Sequence, residues 1–251
     1  MNRDRVLAYA RRIGVEPPTT CGASELAALQ EAHLLAVPFE NLDVHAGHPI
    51  RLEEDALFDK IVTRGRGGFC YELNGLFCEF LSGLGYRVRR VSARVFGEGG
   101  QLGPEHDHLA LLVDCEGMWL VDVGFGDAFI HPLSADTSDF VQQRNGAHRI
   151  SFARDELVYS REKDGEWRDQ YQFTPHARAW SDFDAMCVHH STSPQSHFTQ
   201  KRVVSKLTPD GRVTLRDDRR IHTVDGVVTE TPLTDAQSWS AALAKDFGLT
   251  F

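Results

Sequence analysis

No stretch of this chain is long and apolar enough to span a bilayer, which takes about 20 residues, so a transmembrane helix is not expected. Cysteine is sparse and odd in number: Cys21, Cys70, Cys78, Cys115 and Cys187, with no pair spaced as CxxC. That argues against a disulfide framework and against an all-cysteine zinc site. There is no GxGxxG turn and no Walker loop, which disfavours a dinucleotide or P-loop enzyme. Basic residues are outnumbered, 27 Lys and Arg against 36 Asp and Glu, for a net charge of −9. A surface of that sign repels nucleic acid on average. Two local basic clusters, Arg87-Val88-Arg89-Arg90 and Lys201-Arg202, read as exposed faces of strands or loops. Repeats, low-complexity tracts and proline-rich linkers are also missing. The opening residues Met1–Ala8 lack the apolar centre of a signal peptide, so a cytoplasmic protein without membrane attachment is expected.

What is present is ordinary globular composition. The 251 residues are 41% hydrophobic and 25% charged, enough for one to two domains with a sizeable core. The first third reads helical. Leu26, Leu29, His33, Leu34 and Val37 recur at helical spacing, with Ser24 as the expected N-cap and Pro38 as the stop. A second helix is expected from about Leu52 to Thr63, with Glu53, Glu54 and Asp55 at the positive end of its dipole. After Arg64-Gly65-Arg66-Gly67-Gly68, a third helix carries the stripe Leu73, Leu76, Phe77, Phe80, Leu81 and Leu84, and Gly83 and Gly85 are expected to end it. From Tyr86 the period falls to two, predicting a strand with one bulge. Leu109–Val113 and Trp119–Val123 form a hairpin around Glu116-Gly117. Further strands flank Asp164-Gly165, Asp210-Gly211 and Asp225-Gly226, and Thr234–Phe247 reads as a closing helix. Helices followed by strands and a mixed tail point to α+β segregation.

The chemistry concentrates in Arg66-Gly67-Gly68-Phe69-Cys70-Tyr71-Glu72-Leu73-Asn74. A cysteine in the first turn of an amphipathic helix sits beside unpaired N–H groups that favour an anion. A lowered thiol pKa, and so a nucleophilic thiolate, is expected there. On helix position alone, a small buried core residue is the competing reading of Cys70. Cys78 reads as core. A cysteine nucleophile needs a histidine, and the histidine an orienting group. His108 opens the first strand of the hairpin. Asp122 lies in the returning strand, where a carboxylate inside an apolar run requires partners. A three-residue turn, Cys115-Glu116-Gly117, sets Asp114 opposite Met118 and puts His108 and Asp122 on one face, one diagonal step apart. A two-residue turn puts them on opposite faces. His106 shares that face and is the rival base. An HxH pair also suits zinc, but no third ligand is evident and no metal is expected. His189-His190 reads as surface or loop.

These residues resemble a known family. Arg66–Asn74 resembles the active-site motif of the arylamine N-acetyltransferases, Pro38-Phe39-Glu40-Asn41-Leu42 their early motif, and Val121-Asp122-Val123-Gly124-Phe125-Gly126 their aspartate motif. His108 before an apolar strand matches their histidine. Past about Phe140 the resemblance thins to segments such as Ser196-His197-Phe198-Thr199, and the chain is short for the family. The resemblance implies an N-terminal helical bundle over residues 1–85 carrying the cysteine, a central β-barrel over 86–190 carrying histidine and aspartate, and a C-terminal α/β lid over 191–251. It implies a cysteine-protease-like Cys70–His108–Asp122 core, with acetyl-CoA as co-substrate in a ping-pong reaction and no tightly bound cofactor. An aromatic amine or hydrazine is the implied acceptor. Phe125, Phe39 and Tyr71 are the implied substrate contacts, and Gly126 the implied point of close approach for the pantetheine. The related ansamycin amide synthases share the three residues and release a polyketide from a carrier protein as a macrolactam. A cysteine hydrolase and a catalytically inert binding module complete the alternatives.

Overall fold

The computed structural model describes all residues, 1–251. Helices come first: α1 (Arg3–Ile13), α2 (Ala23–Ala36), the two-residue strand β1 (Phe39–Glu40), α3 (Leu42–His45), α4 (Glu54–Phe58) and α5 (Cys70–Leu84). The N-cap of α2 falls two residues before the expected Ser24. Gly22 caps it without a side chain, while the Ser24 hydroxyl donates to Glu25. Pro38 forces Val37 into extended backbone and ends the helix as expected. The helix expected over Leu52–Thr63 forms as α4 running into a π turn, Asp59–Thr63. In α5 the stripe Leu73, Leu76, Phe77, Phe80 and Leu81 is fully buried, and Tyr9 stacks on Phe80 at 4.3 Å. Each such side chain contributes about 1.5–3 kcal/mol by leaving water. Gly85, at φ 106°, stops the helix, but Gly83 does not. A Cβ at Gly83 would stand 2.6 Å from the Val6 side chain, so this glycine lets α1 approach α5.

The strands follow as β2 (Arg87–Val95), β3 (His108–Asp114), β4 (Met118–Val121), β5 (Leu133–Ser134), β6 (Val141–Gln143), β7 (Gly146–Ala153), β8 (Glu156–Lys163) and β9 (Glu166–Phe173). They form one antiparallel sheet in the order β5-β4-β3-β2-β9-β8-β7-β6, curled until β5 meets β7 into a nearly closed barrel. The expected bulge in β2 is not found against β3. The two pair without a break from Arg87–Asp114 to Ala93–His108, and the sheet's register shift lies at Tyr159/Ser160. The turn between β3 and β4 is the three-residue one, with Asp114 opposite Met118 and Glu116 and Gly117 at positive φ. Strand β3 is covered on both sides. Ala110 and Leu112 face the barrel interior, whereas Leu109, Leu111 and Val113 pack into the helical core. That is why Leu109–Val113 reads as an unbroken apolar run rather than an alternating one.

After a short 3-10 turn (Trp180–Phe183) come α6 (Asp184–Thr192) and α7 (His197–Gln200). Strands β10 (Val203–Thr208), β11 (Gly211–Arg216), β12 (Arg219–Val224) and β13 (Val227–Pro232), then α8 (Ala236–Phe247), complete the chain. The second sheet runs β1-β10-β11-β12-β13, and α8 packs Trp239, Leu243 and Phe247 with Val204, Val213 and Leu215. Its edge strand β1 comes from the N-terminal segment, and position 190 falls inside α6 rather than between elements. Both basic clusters are engaged at the surface. Arg90 pairs with Glu79 and lies over Trp180. Arg202 pairs with Asp217 and lies over Trp239.

Candidate active site

The loop before Cys70 is shaped by close approach. Glu40 N donates to Gly68 O at 2.8 Å, and Phe39 and Gly68 form a parallel bridge. A Cβ on Gly67 would lie 1.9 Å from Pro38 O, and one on Gly68 would lie 2.6 Å from the Glu72 carboxylate. Only glycine allows either contact. The two motifs around positions 38–42 and 66–74 are therefore one physical unit.

Buried charges lock that unit. Arg66 binds Glu40 at 2.8 Å and Asp43 at 3.1 Å. Lys60 Nζ binds Asp43 and Glu72, each at 2.7 Å. Glu72 accepts the Phe69 N–H at 3.1 Å, and Glu40 accepts the Leu42 N–H at 2.8 Å. Burial opposes the charge on Lys60, but Glu72, Glu40 and Asp43 outweigh it and hold its pKa at about 12. Burial likewise opposes ionisation of Asp43, and Lys60 and Arg66 bring its carboxyl below the ordinary value.

At the other end of the site, Asp122 has all four lone-pair directions filled. Its Oδ2 accepts from His108 Nε2 at 2.7 Å and from the Tyr171 hydroxyl at 2.9 Å. Its Oδ1 accepts from Asn74 Nδ2 at 2.8 Å and Gly124 N at 2.9 Å. Burial pushes the Asp122 carboxyl up, yet His108 and these donors win and hold it below the ordinary value. His108 thus spends Nε2 on Asp122. Asn74 ties both halves together. It also donates to Leu109 O at 2.7 Å and accepts the Val123 N–H at 2.8 Å. Gly124 closes the gap, since a Cβ there would lie 2.7 Å from Cys70 Cα.

His108 and Asp122 come together as the strand register predicts, Cys70 packs against Gly124 two residues past Asp122, and all three are sequestered: 3%, 2% and 1% exposed for Cys70, His108 and Asp122. Sequestration reverses one expectation. Burial pushes the Cys70 thiol well above its ordinary value, and Cys187, Asp122 and Asp107 add to this, against a hydrogen bond from the Leu109 backbone. The helix start alone does not supply a thiolate here. The N–H groups of Cys70 and Tyr71 nonetheless open α5 without protein acceptors, as expected of a helix start.

The other candidates divide. Phe125 is half-buried, edge-on to His108 at 5.1 Å and to Tyr171 at 5.0 Å. Phe39 faces Phe198 at 6.2 Å. Tyr71 is fully buried, with its hydroxyl donating to His106 O at 2.7 Å and Asp107 O at 3.1 Å. It fastens the turn before His108 rather than lining an open surface. Gly126 adopts φ 83° with open space where a Cβ would point. His106, at φ 62°, belongs to that same turn. Its N–H donates to the Ser92 hydroxyl at 2.9 Å. Sequence reasoning missed Asn74, Tyr171 and Gln30, whose Oε1 accepts the Asp122 N–H at 3.3 Å. Asn74 had a usable signal, sharing the helical face of Cys70 one turn on. Tyr171 had none, lying 49 residues from its partner.

Residues 23–251 match the N-acetyltransferase family. The chain is 36% identical to the arylamine N-acetyltransferase of Mycolicibacterium smegmatis over 215 residues, covering 83% of this chain and 78% of that protein. It is 30% identical over 259 residues to proansamycin X synthase of Amycolatopsis mediterranei, covering 98% and 97%. Among solved structures it resembles Mycobacterium marinum arylamine N-acetyltransferase in complex with CoA, with TM-score 0.91, 33% identity and coverage of 97% and 92%. The chain belongs to the arylamine N-acetyltransferase family, which includes an ansamycin amide synthase. It is an acyltransferase. No helix is long and apolar enough to cross a membrane.

Proposed function

We propose that the protein moves an acetyl group from acetyl-CoA to the nitrogen of an aromatic amine or hydrazine, through an acetyl thioester on Cys70. The observation that carries this is the 2.7 Å contact between His108 Nε2 and a fully satisfied Asp122, beside a cysteine at the start of α5. In the first half-reaction the Cys70 thiol gives its proton to His108 Nδ1, and Asp122 stabilises the resulting imidazolium. The thiolate attacks the thioester carbonyl, with the Cys70 and Tyr71 N–H groups the nearest donors for the oxyanion. The C–S bond to CoA breaks, and the departing thiolate takes the proton back from His108. In the second half the amine attacks acetyl-Cys70, its proton passes to His108, and the Cys70 sulfur leaves.

Phe125 and Phe39 are the proposed acceptor contacts, and Gly126 the proposed passage for the pantetheine. Just beyond Gly126, a cavity of about 470 Å³ between the two sheets is lined by both signs of charge, Arg144, Arg161, Lys163 and Arg212 against Asp127, Asp164, Asp210 and Asp225. Asp127 holds Arg161 at 2.8 Å and Arg212 at 3.2 Å, and Glu31 pairs with Arg144. A second reading rests on the near-complete overlap with the amide synthase. There the acyl donor is a carrier-bound thioester and the amine is on the same molecule.

Initial rates test the main reading. Varying acetyl-CoA at several arylamine concentrations should give parallel double-reciprocal lines. Intersecting lines, which mark a ternary complex, would contradict an acyl-enzyme. Activity with a carrier thioester but none with acetyl-CoA would select the amide synthase.

Because burial raises the thiol, the thiolate depends on His108. Iodoacetamide should alkylate Cys70 below pH 7 in the parent protein. In His108→Ala the rate should rise only well above the ordinary thiol range, near pH 8.5. Identical pH profiles for the two proteins would show that the imidazole does not hold the sulfur as an anion.

A further inference from the structure

A second histidine–carboxylate pair lies beside the first. His190 Nε2 meets Asp107 Oδ1 at 3.0 Å, with both side chains largely buried. Asp107 immediately precedes His108, and its Oδ2 accepts the Val95 N–H at 3.3 Å. His190 therefore does not sit on a free surface or loop, as its sequence setting suggested. It lies in the last turn of α6 and reaches back across the chain to the turn that launches β3.

The hydrogen bonds around His190 hold its ring from both sides. The Ser196 hydroxyl has one proton and two lone pairs. It donates to His190 O at 3.0 Å and accepts the Phe198 N–H at 3.2 Å. Its oxygen also lies 3.3 Å from His190 Nδ1. With Nε2 at 3.0 Å from Asp107 Oδ1, both ring nitrogens are engaged, one by Ser196 and one by Asp107, and the ring is held in one orientation.

The pair also has an aromatic setting. The His190 ring is edge-on to Phe198 at 5.3 Å and stacked near Tyr71 at 6.1 Å. Phe198 in turn faces Phe39 and, at 5.4 Å, Phe69. Asn41 holds the backbone of this strap from the far side, donating to Phe198 O and Lys201 O at 2.8 Å each. His190 is thus the side-chain hydrogen-bond link between the α6–α7 strap, which presents Phe198, and the turn carrying Asp107 and His108.

We infer that His190 and Asp107 are positioning residues that fix the Phe198–Phe39 wall relative to His108 and so set acceptor affinity and specificity. This rests on the transferase reading above. The two half-reactions separate the claims. In His190→Gln, acetylation of Cys70 by acetyl-CoA, followed by intact mass in a quench experiment, should stay within about twofold of the parent. The KM for an arylamine should rise about tenfold, the loss of a modest charge-assisted hydrogen bond. Asp107→Asn should raise the same KM, and the double variant should be no worse than the larger single effect, because the two act as one unit. An unchanged KM in His190→Gln, additive effects in the double variant, or acylation falling in step with KM would each overturn the inference. A parent protein that acetyl-CoA does not acylate would instead remove the underlying transferase reading.

Discussion

Replacing His108 by alanine should lower kcat/KM for acetyl transfer by about 10³–10⁴-fold, while His106→Ala should cost less than about tenfold. The two histidines are separated only by Asp107, and both were candidates for the base. What separates them is their surroundings. His108 Nε2 is anchored on Asp122, whose other lone pairs are already occupied by Tyr171, Asn74 and Gly124. The ring is therefore fixed in one orientation, and an imidazolium formed during turnover meets a carboxylate already ionised. His106 has no carboxylate partner for its ring. Its backbone carbonyl accepts from Tyr71 and its N–H donates to Ser92, contacts that alanine retains. Steady-state rates on the two variants decide the matter, and the reverse ranking would reassign the base.

Lys60→Met should destabilise the fold by about 3–5 kcal/mol, the cost of leaving the buried Glu72 carboxylate without its cation. Lys60 touches both Asp43 and Glu72 at 2.7 Å, and Glu72 in turn fastens the Phe69 N–H next to Cys70. The loss should therefore appear in activity as well as in urea midpoints. The pH dependence follows from the raised pKa of Lys60, about 12 against an ordinary 10.5. The stabilisation it contributes is fully present below about pH 10.5 and is lost as the pH rises through about 12. The parent should thus lose this part of its stability only in strong alkali, and Lys60→Met should show a flatter alkaline limb. A midpoint change below about 1 kcal/mol would mean that the buried cluster does not hold the loop.

Local chemistry made much of this structure legible before any coordinates. The stripe in α5, the stop at Gly85 and the three-residue turn at Cys115-Glu116-Gly117 follow from periodicity and turn residues. The register of that turn then brings His108 and Asp122 to one face. Long-range contacts were not legible in the same way. Gly67 and Gly68 read as part of the run that interrupts the chain before the third helix, yet their role is to let the Pro38–Glu40 segment lie against the loop before Cys70. Gly83 read as a stop and is a contact with Val6. The burial that opposes the thiolate was not legible for the same reason. A helix start favours an anion locally, but the surrounding core, which only the fold assembles, pushes the other way. His189-His190 had no periodic context to place it, so the partner of His190 at Asp107 emerged only from the packing of α6.

The central claim is that Cys70 carries the acyl group between donor and acceptor. Its most direct measurement is the intact mass of the protein after brief mixing with acetyl-CoA and acid quench, with the adduct located by peptide mapping. The account predicts one acetyl group on the peptide containing Cys70, none on Cys78 or Cys187, and its discharge when an arylamine is added. An acetyl group found elsewhere, or one on Cys70 that persists in the presence of amine, would contradict it.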